Sequence, residues 1–162
     1  MIVPRHAERR AEVKAELEGA GFEVTLRSSF PDAAATGDRR HALVIDSTGE
    51  LRDWTAHADV VIIGKSFLST GGQNPCEAIL AEKPLICGPH MENFQPLASR
   101  LIACGGCIST RDPGELTQAI ITALDPQKAR AMTRAASVLL ARHDGATRRI
   151  LALLMAGNGP II

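Results

Sequence analysis

Short apolar runs alternate along this chain with stretches whose apolar residues recur at helical spacing. The runs cover residues 2–3, 22–26, 42–45, 60–63, 84–87 and 107–109. Val13, Leu17 and Ala20 lie at intervals that place them on one face of a helix over residues 8–19. The same pattern predicts a loop over 28–40, helices over 49–57 and 94–104, a helix that begins near Asn74-Pro75, and three helical segments after residue 109.

Short strands that are apolar throughout, with helices between them, are typical of a parallel sheet covered by helices on both faces. The right-handed crossover rule then predicts a doubly wound, Rossmann-like α/β fold. At 162 residues the chain fits one such domain, residues 1–162. Because it begins three residues before Pro4, its first predicted strand has almost no length, and we expect the chain to be part of a larger protein.

The chain carries 18 basic and 18 acidic residues, so its formal net charge is zero. This balance supplies no field that attracts nucleic acid or an anionic membrane, and four Phe with one Trp are too few for a base-stacking platform. No apolar run approaches the roughly 20 residues of a membrane span, and the N-terminus lacks a signal-peptide pattern. We therefore expect a cytoplasmic protein that binds no nucleic acid and has no membrane span in this chain.

The four cysteines raise the question of redox chemistry or metal binding. Cys104-Gly-Gly-Cys107 has the spacing for either, but Cys76 and Cys87 are too far apart in sequence to suggest a second ligand pair. We interpret the four thiols as small buried apolar side chains. We accordingly predict no metal site and no cofactor.

Ligands of open parallel sheets bind outside the carboxyl ends of the strands, which here selects residues 4–6, 46–51, 64–77 and 88–90. Arg5 places a guanidinium where it could bind a phosphate, although such arginines are commonly solvated or paired with a carboxylate. Thr48 and Gly49 lie at a predicted helix start, whose free N–H groups favour an anion. The alternative there is an ordinary N-cap supplied by Asp46, Ser47 or Thr48.

The third of these loops holds the most informative segment, Gly71-Gly72-Gln73-Asn74-Pro75-Cys76-Glu77. Its two glycines let a ligand approach the backbone closely, and Pro75 suits a first helical turn. The carboxylate of Glu77 could then accept both hydroxyls of a ribose. An equally good alternative is a capping box, in which Asn74 and Glu77 serve only the helix.

Two further motifs in these loops are less informative. Gly64-Lys65-Ser66 lacks the earlier glycine of a phosphate-binding loop, so nothing indicates an NTPase. His90 could act as a base, but a histidine beside Gly-Pro is more often a turn residue.

Several segments, taken together and in order, resemble one family. They are Val3-Pro4-Arg5-His6 with Glu8-Arg9, Leu26-Arg27-Ser28, Asp46-Ser47-Thr48-Gly49-Glu50-Leu51, Ala58-Asp59-Val60, Gly71 to Glu77, Lys83-Pro84, Gly88-Pro89-His90-Met91 with Asn93-Phe94, and Gly145-Ala146. From Val3 to about residue 150 the chain is similar to the C-terminal half of 3-deoxy-D-manno-octulosonic acid (Kdo) transferases. It departs from the family's usual residues at Thr48, where Met is usual, at Lys65 within a Gly-Gly-Ser motif, and at Gln73, where His is common.

The resemblance implies a GT-B glycosyltransferase of two Rossmann-like domains, which transfers Kdo from CMP-Kdo to a lipid A precursor, with inversion, in lipopolysaccharide core assembly. This chain would be the C-terminal domain that binds CMP, with Arg5 at the phosphate and Glu77 at the ribose. The implied nucleotide-binding residues are Pro4, Arg5, Thr48, Gly49, Glu50, Asn74, Pro75, Cys76 and Glu77, with Gly71, Gly72 and His90 as further candidates.

The resemblance also implies what this chain does not supply. The family's N-terminal domain provides the acceptor site, the general base and the membrane association, so we expect no catalytic residue here and no transfer by the chain alone. The full-length protein is expected at the cytoplasmic face of the inner membrane, with the lipid A precursor bound through the N-terminal domain. Two alternatives stay open: the C-terminal domain of a GT-B glycosyltransferase or epimerase that uses a UDP-sugar, and a non-catalytic nucleotide-binding module.

Overall fold

A computed structural model describes residues 1–29, 40–68, 70–143 and 145–157. These residues form two compact units, Met1–Ala58 and Asp59–Ile162, each built from parallel strands and α-helices. The α/β class predicted from the sequence is therefore confirmed. Most of the loop predicted over residues 28–40 lies outside the described residues.

The first unit contains a two-stranded parallel sheet, in which β1 (Glu23–Leu26) pairs with β2 (His41–Val44). Ile2 extends this sheet by one parallel bridge to Val44, because its N–H donates to the Leu43 carbonyl (2.8 Å) and its carbonyl accepts from the Ile45 N–H (2.9 Å). The first predicted strand is thus a single bridging residue. The helices of this unit are α1 (Arg10–Gly19), preceded by a 3₁₀ turn at Ala7–Arg9, and α2 (Leu51–Ala56).

The end of α1 shows how the sequence encodes a helix terminus. Gly21 has a φ of +86°, and the Phe22 N–H donates to the Leu17 carbonyl at 3.0 Å while the Gly21 N–H donates to Glu18 at 3.0 Å. This is the arrangement in which a left-handed glycine closes a helix and satisfies its last carbonyls. The predicted stop at this position is confirmed.

The second unit contains a three-stranded parallel sheet in the order β3-β4-β5. Its strands are β3 (Val61–Ile63), β4 (Leu85–Cys87) and β5 (Ile108–Ser109). Its helices are α3 (Lys65–Leu68), α4 (Cys76–Leu80), α5 (Leu97–Ala103), α6 (Pro113–Leu124), α7 (Pro126–Ala141) and α8 (Ala146–Gly157). The short helix α3 differs from the prediction, which assigns its residues to the loop after β3.

Helices cover both faces of β4, as the sequence predicts for its apolar run. Successive side chains of a strand point to opposite faces of the sheet. Leu85 and Cys87 pack into a core that α4, α5 and α7 complete, whereas Ile86 packs with Ala119 and Ala123 of α6 on the other face. All three β4 residues are buried.

The last helix, α8, differs from the others in what it exposes. Five of its large apolar side chains are more than half exposed, namely Ile150, Leu151, Leu153, Leu154 and Met155. Within the described part of the chain, no helix combines the length and apolar character needed to cross a bilayer.

The segment after β3 closely approaches the segment after β4. The Ser66 hydroxyl donates to the Ile63 carbonyl and accepts from the Gly88 N–H (2.6 Å), and the Ser66 carbonyl accepts from the His90 N–H (3.0 Å). A Cβ at residue 88 would lie 2.3 Å from the Ser66 carbonyl oxygen, which leaves no room for a side chain. Glycine is therefore required at this position by packing.

Replacing Gly88 with Ala should destabilise the second unit by about 2 kcal/mol or more, because the added carbon meets backbone atoms rather than a flexible side chain. Gly64→Ala is the matched control, since Gly64 follows β3 as Gly88 follows β4 and a Cβ there meets nothing within 4 Å. Urea unfolding followed by circular dichroism compares the two variants. Equal midpoints would contradict the packing constraint.

Candidate functional site

The predicted site residues fall in both units. Those of the first unit follow the Ile2 bridge and β2, and those of the second unit follow β3 and β4. The positions after strand ends agree with the predicted placement at carboxyl termini of parallel strands.

A buried carboxylate organises the loops of the first unit. The Asp46 side chain is fully buried, and it accepts from the Ser28 backbone N–H (2.8 Å) and the Ser28 hydroxyl (2.6 Å), with the Arg10 guanidinium 4.0 Å away. Burial alone raises the pKa of the Asp46 carboxyl, but the two bonds from Ser28 and the charge of Arg10 outweigh it and hold the pKa below its ordinary value. Asp46 thus ties the segment after β1 to the segment after β2.

The Glu50 carboxylate is also satisfied by the chain itself. It accepts from the Ser47 hydroxyl (2.6 Å) and the Trp54 indole N–H (3.0 Å), and it pairs with the Arg27 guanidinium (3.2 Å). These bonds, that of Ser47 first, lower the pKa of Glu50. A ligand contact by this residue, as the family resemblance implies, would therefore use its backbone rather than its carboxylate.

The N-cap interpretation of residues 46–48 is wrong. Helix α2 begins at Leu51 with Glu50 at its N-cap position, and no side chain caps it. Asp46 binds Ser28 instead, and Ser47 donates to Glu50. Thr48 and Gly49 are exposed and precede the helix, with Gly49 at a φ of +84°.

Pro4 and Arg5 follow the Ile2 bridge. Pro4 is half-buried and Arg5 is exposed. Within the described ranges no carboxylate pairs with Arg5, which removes one of the two ordinary alternatives to a phosphate contact.

In the second unit, the two glycines of the predicted segment pack against the loop after β4. Gly71 and Gly72 have φ values of +96° and +63°. A Cβ at residue 71 would lie 2.6 Å from Asn93 Nδ2, and one at residue 72 would lie 2.5 Å from Met91 Sδ. The protein's own loop therefore requires both glycines, and their predicted role in admitting a ligand stays a prediction.

Of the capping box predicted for Asn74 and Glu77, only the Asn74 half is present. Helix α4 begins at Cys76, after the buried Pro75, whose own side chain makes no cap bond. Asn74 Oδ1 accepts the Cys76 N–H at 3.1 Å, but Glu77 makes no return bond to Asn74. Instead, Glu77 Oε2 is buried and has no hydrogen-bond partner among the residues that the structure describes. Buried polar atoms are rarely left in that state, so this oxygen is a candidate for a bond from outside the protein.

Cys76, between Pro75 and Glu77, is not an activated thiol. Its burial, and then the negative charge of Glu77, raise its pKa above the ordinary value. Since the thiolate is the nucleophilic form, this position favours packing over covalent chemistry.

The loop after β4 contains a glutamate, Glu92, that no sequence motif singles out. Glu92 Oε2 accepts the Gly71 N–H at 2.7 Å, and its Oε1 lies 3.1 Å from His90 Nδ1. The Gly71 bond first, together with other bonds including that to His90, lowers the pKa of Glu92. His90 is therefore a partner of Glu92, and its predicted role as a further ligand contact is untested.

Thr110 follows β5 at the carboxyl edge of this sheet. It is buried, and its hydroxyl also lacks a hydrogen-bond partner in the described ranges.

The four cysteines are free thiols that differ in burial. Cys87 and Cys107 are buried with their sulfurs 3.5 Å apart, Cys76 is half-buried and Cys104 is exposed, so the interpretation of all four as buried is wrong for Cys104. Among the described residues, no group of three or more His, Cys, Asp or Glu side chains is placed to hold a metal ion.

Parallel strands covered by helices, with polar residues after the strand ends, define an α/β domain of the class found in GT-B glycosyltransferases. The structure is similar to the crystal structure of the C-terminal CMP-Kdo binding domain of WaaA from Acinetobacter baumannii, with a TM-score of 0.75 and 25% identity over 85% of this chain and 72% of that one. The sequence is 38% identical over 152 residues to the 3-deoxy-D-manno-octulosonic acid transferase of Bordetella pertussis (93% of this chain, 35% of that protein). It is 28% identical over 156 residues to the transferase of Haemophilus influenzae (95% and 36%).

The chain belongs to the 3-deoxy-D-manno-octulosonic acid transferase family and corresponds to its C-terminal GT-B domain. It spans about a third of the length of these curated relatives. No protein-family model matches it. The resemblance seen in the sequence is therefore confirmed.

Replacing Asp46 with Asn should lower the free energy of unfolding by about 2 kcal/mol at neutral pH, because bonds to a charged acceptor are lost. Since the folded-state pKa of Asp46 is depressed, its stabilisation is present above about pH 4 and is lost as the pH falls through that folded value. The difference between the two proteins should thus shrink below about pH 4. Trp54 is the one tryptophan in the chain and lies in the first unit, so urea unfolding followed by its fluorescence measures the difference in unfolding free energy between wild type and Asp46→Asn there.

Asp53→Asn is the control, because Asp53 is exposed on α2 and makes no side-chain bond among the described residues. Equal effects of the two substitutions, or a difference between wild type and Asp46→Asn that does not shrink as the pH falls below about 4, would contradict the assigned role of Asp46.

Proposed function

We propose that this chain is the donor-binding domain of a Kdo transferase and holds CMP-Kdo during transfer of the sugar to a lipid A precursor. The observation that carries the proposal is the buried, unpartnered Oε2 of Glu77 on the first turn of α4. Family membership supplies the ligand class, because the relatives are Kdo transferases and the similar solved domain is described as binding CMP-Kdo.

The chemistry at Glu77 suits a ribose. Leaving a carboxylate oxygen buried without a donor is unfavourable, so a ligand that supplies hydroxyl donors gains the free energy of satisfying it. The two hydroxyls of a ribose are adjacent donors, and one carboxylate can accept both. Asn74 is exposed, with its amide oxygen engaged by the Cys76 N–H, which leaves its NH₂ group free to donate to the ligand.

In the first unit we assign the phosphate of the nucleotide to Arg5. Its exposed guanidinium has no carboxylate partner among the described residues, and a guanidinium matches a phosphate with two parallel hydrogen bonds. The backbone of the exposed residues Thr48 and Gly49, with Glu50, is proposed as a further nucleotide contact. In a transfer with inversion, a cation at the phosphate also stabilises the charge that develops as CMP departs.

We further propose that the base which activates the acceptor lies outside this polypeptide. Two ionisable side chains lie on the first turn of α4, and neither is left to act as that base, since Cys76 is held as a thiol and Glu77 is assigned to the ribose. The chain alone is then expected to bind the donor without transferring Kdo. Binding of a lipid A precursor and location at the cytoplasmic face of the inner membrane are proposed for the full-length protein.

Glu77→Gln should remove most of the preference for CMP over 2′-deoxy-CMP. The wild-type chain should bind CMP about tenfold or more tightly than the deoxynucleotide, because a bond from a hydroxyl to a charged acceptor is worth roughly 1.5–3 kcal/mol. In the variant the two ligands should differ by less than about threefold. Isothermal titration calorimetry of both nucleotides with both proteins measures the four dissociation constants, from which the preference of each protein for CMP is calculated.

Glu82→Gln is the matched control, because Glu82 is an exposed glutamate just after α4 with no side-chain bond in the described part of the chain. It should retain the wild-type preference. An unchanged preference in Glu77→Gln would remove the ribose assignment, and tighter binding of UDP than of CMP would favour the UDP-sugar alternative.

Arg5→Ala should weaken binding of CMP by about tenfold while leaving cytidine nearly unchanged, because cytidine lacks the phosphate that the guanidinium binds. Arg52→Ala, at an exposed arginine of α2 in the same unit, serves as the control and should alter neither. Calorimetry or competition against a fluorescent cytidine nucleotide gives both affinities. Equal losses for CMP and cytidine in Arg5→Ala would make Arg5 a structural residue.

A further inference from the structure

The segment that precedes Glu77 is held in place by the loop after β4. At Gly71 and Gly72 there is no space for a Cβ, because Asn93, Met91 and the His90 carbonyl occupy it. The two stretches are therefore in direct contact at these glycines. The bonds from the Gly88 and His90 N–H groups to Ser66 join the two stretches nearer β3, and a further directional bond at Gly71 fixes the part that leads into Asn74.

Glu92 supplies that bond. Its Oε2 accepts the N–H of Gly71, a buried residue, at 2.7 Å, a length typical of bonds to an ionised acceptor. Without this acceptor the Gly71 N–H would be buried and unpaired, which costs more than the bond itself gains. The glutamate is exposed by 53%, so its carboxylate is well placed to stay ionised.

The other oxygen of the same carboxylate fixes the geometry of Glu92 itself. Oε1 lies 3.1 Å from His90 Nδ1, and because an ionised carboxylate only accepts, the proton of that contact is on Nδ1. Two bonds on two oxygens restrict the rotamers of an otherwise mobile surface side chain. His90 is in turn anchored, since its backbone N–H donates to the Ser66 carbonyl at 3.0 Å.

We propose that Glu92 is a positioning residue for nucleotide binding, which acts through Gly71 to hold the Asn74–Glu77 segment in its binding geometry. This inference rests on the proposed function, because it assumes that the Asn74–Glu77 segment binds CMP. Glu92 itself touches no ligand in this scheme. Its bond to Gly71 holds the backbone conformation at Gly71 and Gly72, and this conformation in turn positions the start of α4.

The test uses two substitutions with different chemistry. Glu92→Ala removes the acceptor of the Gly71 N–H and should raise the Kd for CMP about five- to tenfold. Glu92→Gln keeps one carbonyl oxygen at the same reach and should restore affinity to within about threefold of wild type. Glu82→Gln is the matched control at an exposed glutamate of the same unit, and it should bind CMP as wild type does.

A spectroscopic measurement tests the bond without any ligand. In ¹H–¹⁵N spectra of the free protein, the Gly71 amide should move upfield and lose protection from hydrogen exchange in Glu92→Ala, and it should stay near its wild-type position in Glu92→Gln. Urea unfolding checks that Glu92→Ala, although destabilised by the unpaired Gly71 N–H, stays folded under the conditions of the binding measurement.

The outcomes separate this inference from the proposed function. If wild type fails to bind CMP, the proposed function fails, while the Gly71 amide still reports whether the Glu92 bond exists. If wild type binds CMP and Glu92→Ala binds it equally well, the positioning role is overturned. An unchanged Gly71 amide in Glu92→Ala would overturn it as well.

Discussion

The packing of the chain after β3 against the chain after β4 is the constraint on which the second unit's site depends. At Gly72 and Gly88, a single added carbon would lie under 3 Å from backbone atoms of the facing segment, and at Gly71 it would meet the side-chain amide of Asn93. Closely packed segments of this kind cannot shift without a clash, so the two loops have one mutual arrangement. The hydroxyl of Ser66, with bonds to both segments, fixes that arrangement at its buried end.

Two carboxylates illustrate how hydrogen-bond satisfaction separates a structural residue from a candidate binding residue. Asp46 and Glu77 both lie in segments that follow a strand, and both bury carboxylate oxygen. Asp46 receives two bonds from Ser28, so its charge is stabilised within the folded protein. Glu77 Oε2 receives none from the described residues, which is the basis for its proposed contact with the ribose. Sequence spacing treats these two residues alike, and only their partners distinguish them.

The sequence was sufficient to predict the features that depend on local pattern. Apolar runs predict β2, β3 and β4 to within a residue or two, because buried strands consist of apolar residues. Gly21 predicts the end of α1, because glycine adopts the left-handed backbone conformation found there without steric cost. The capping interpretation is wrong for residues 46–48 and for the Glu77 half of the capping box, and Glu92 is not predicted. Asp46 binds Ser28, 18 residues away in sequence, and Glu92 binds Gly71, 21 residues away, so the spacing within one loop reveals neither contact.

The same constraint explains why the chain tolerates its departures from the family's usual residues. Lys65 replaces a glycine in a Gly-Gly-Ser motif, but the structural bonds of that motif come from Ser66, which is retained. Thr48 replaces a methionine at an exposed position, where the proposed contact with the nucleotide uses backbone and not side chain. The positions that this packing constrains are Ser66, Gly72 and Gly88, each at a close approach between the two segments.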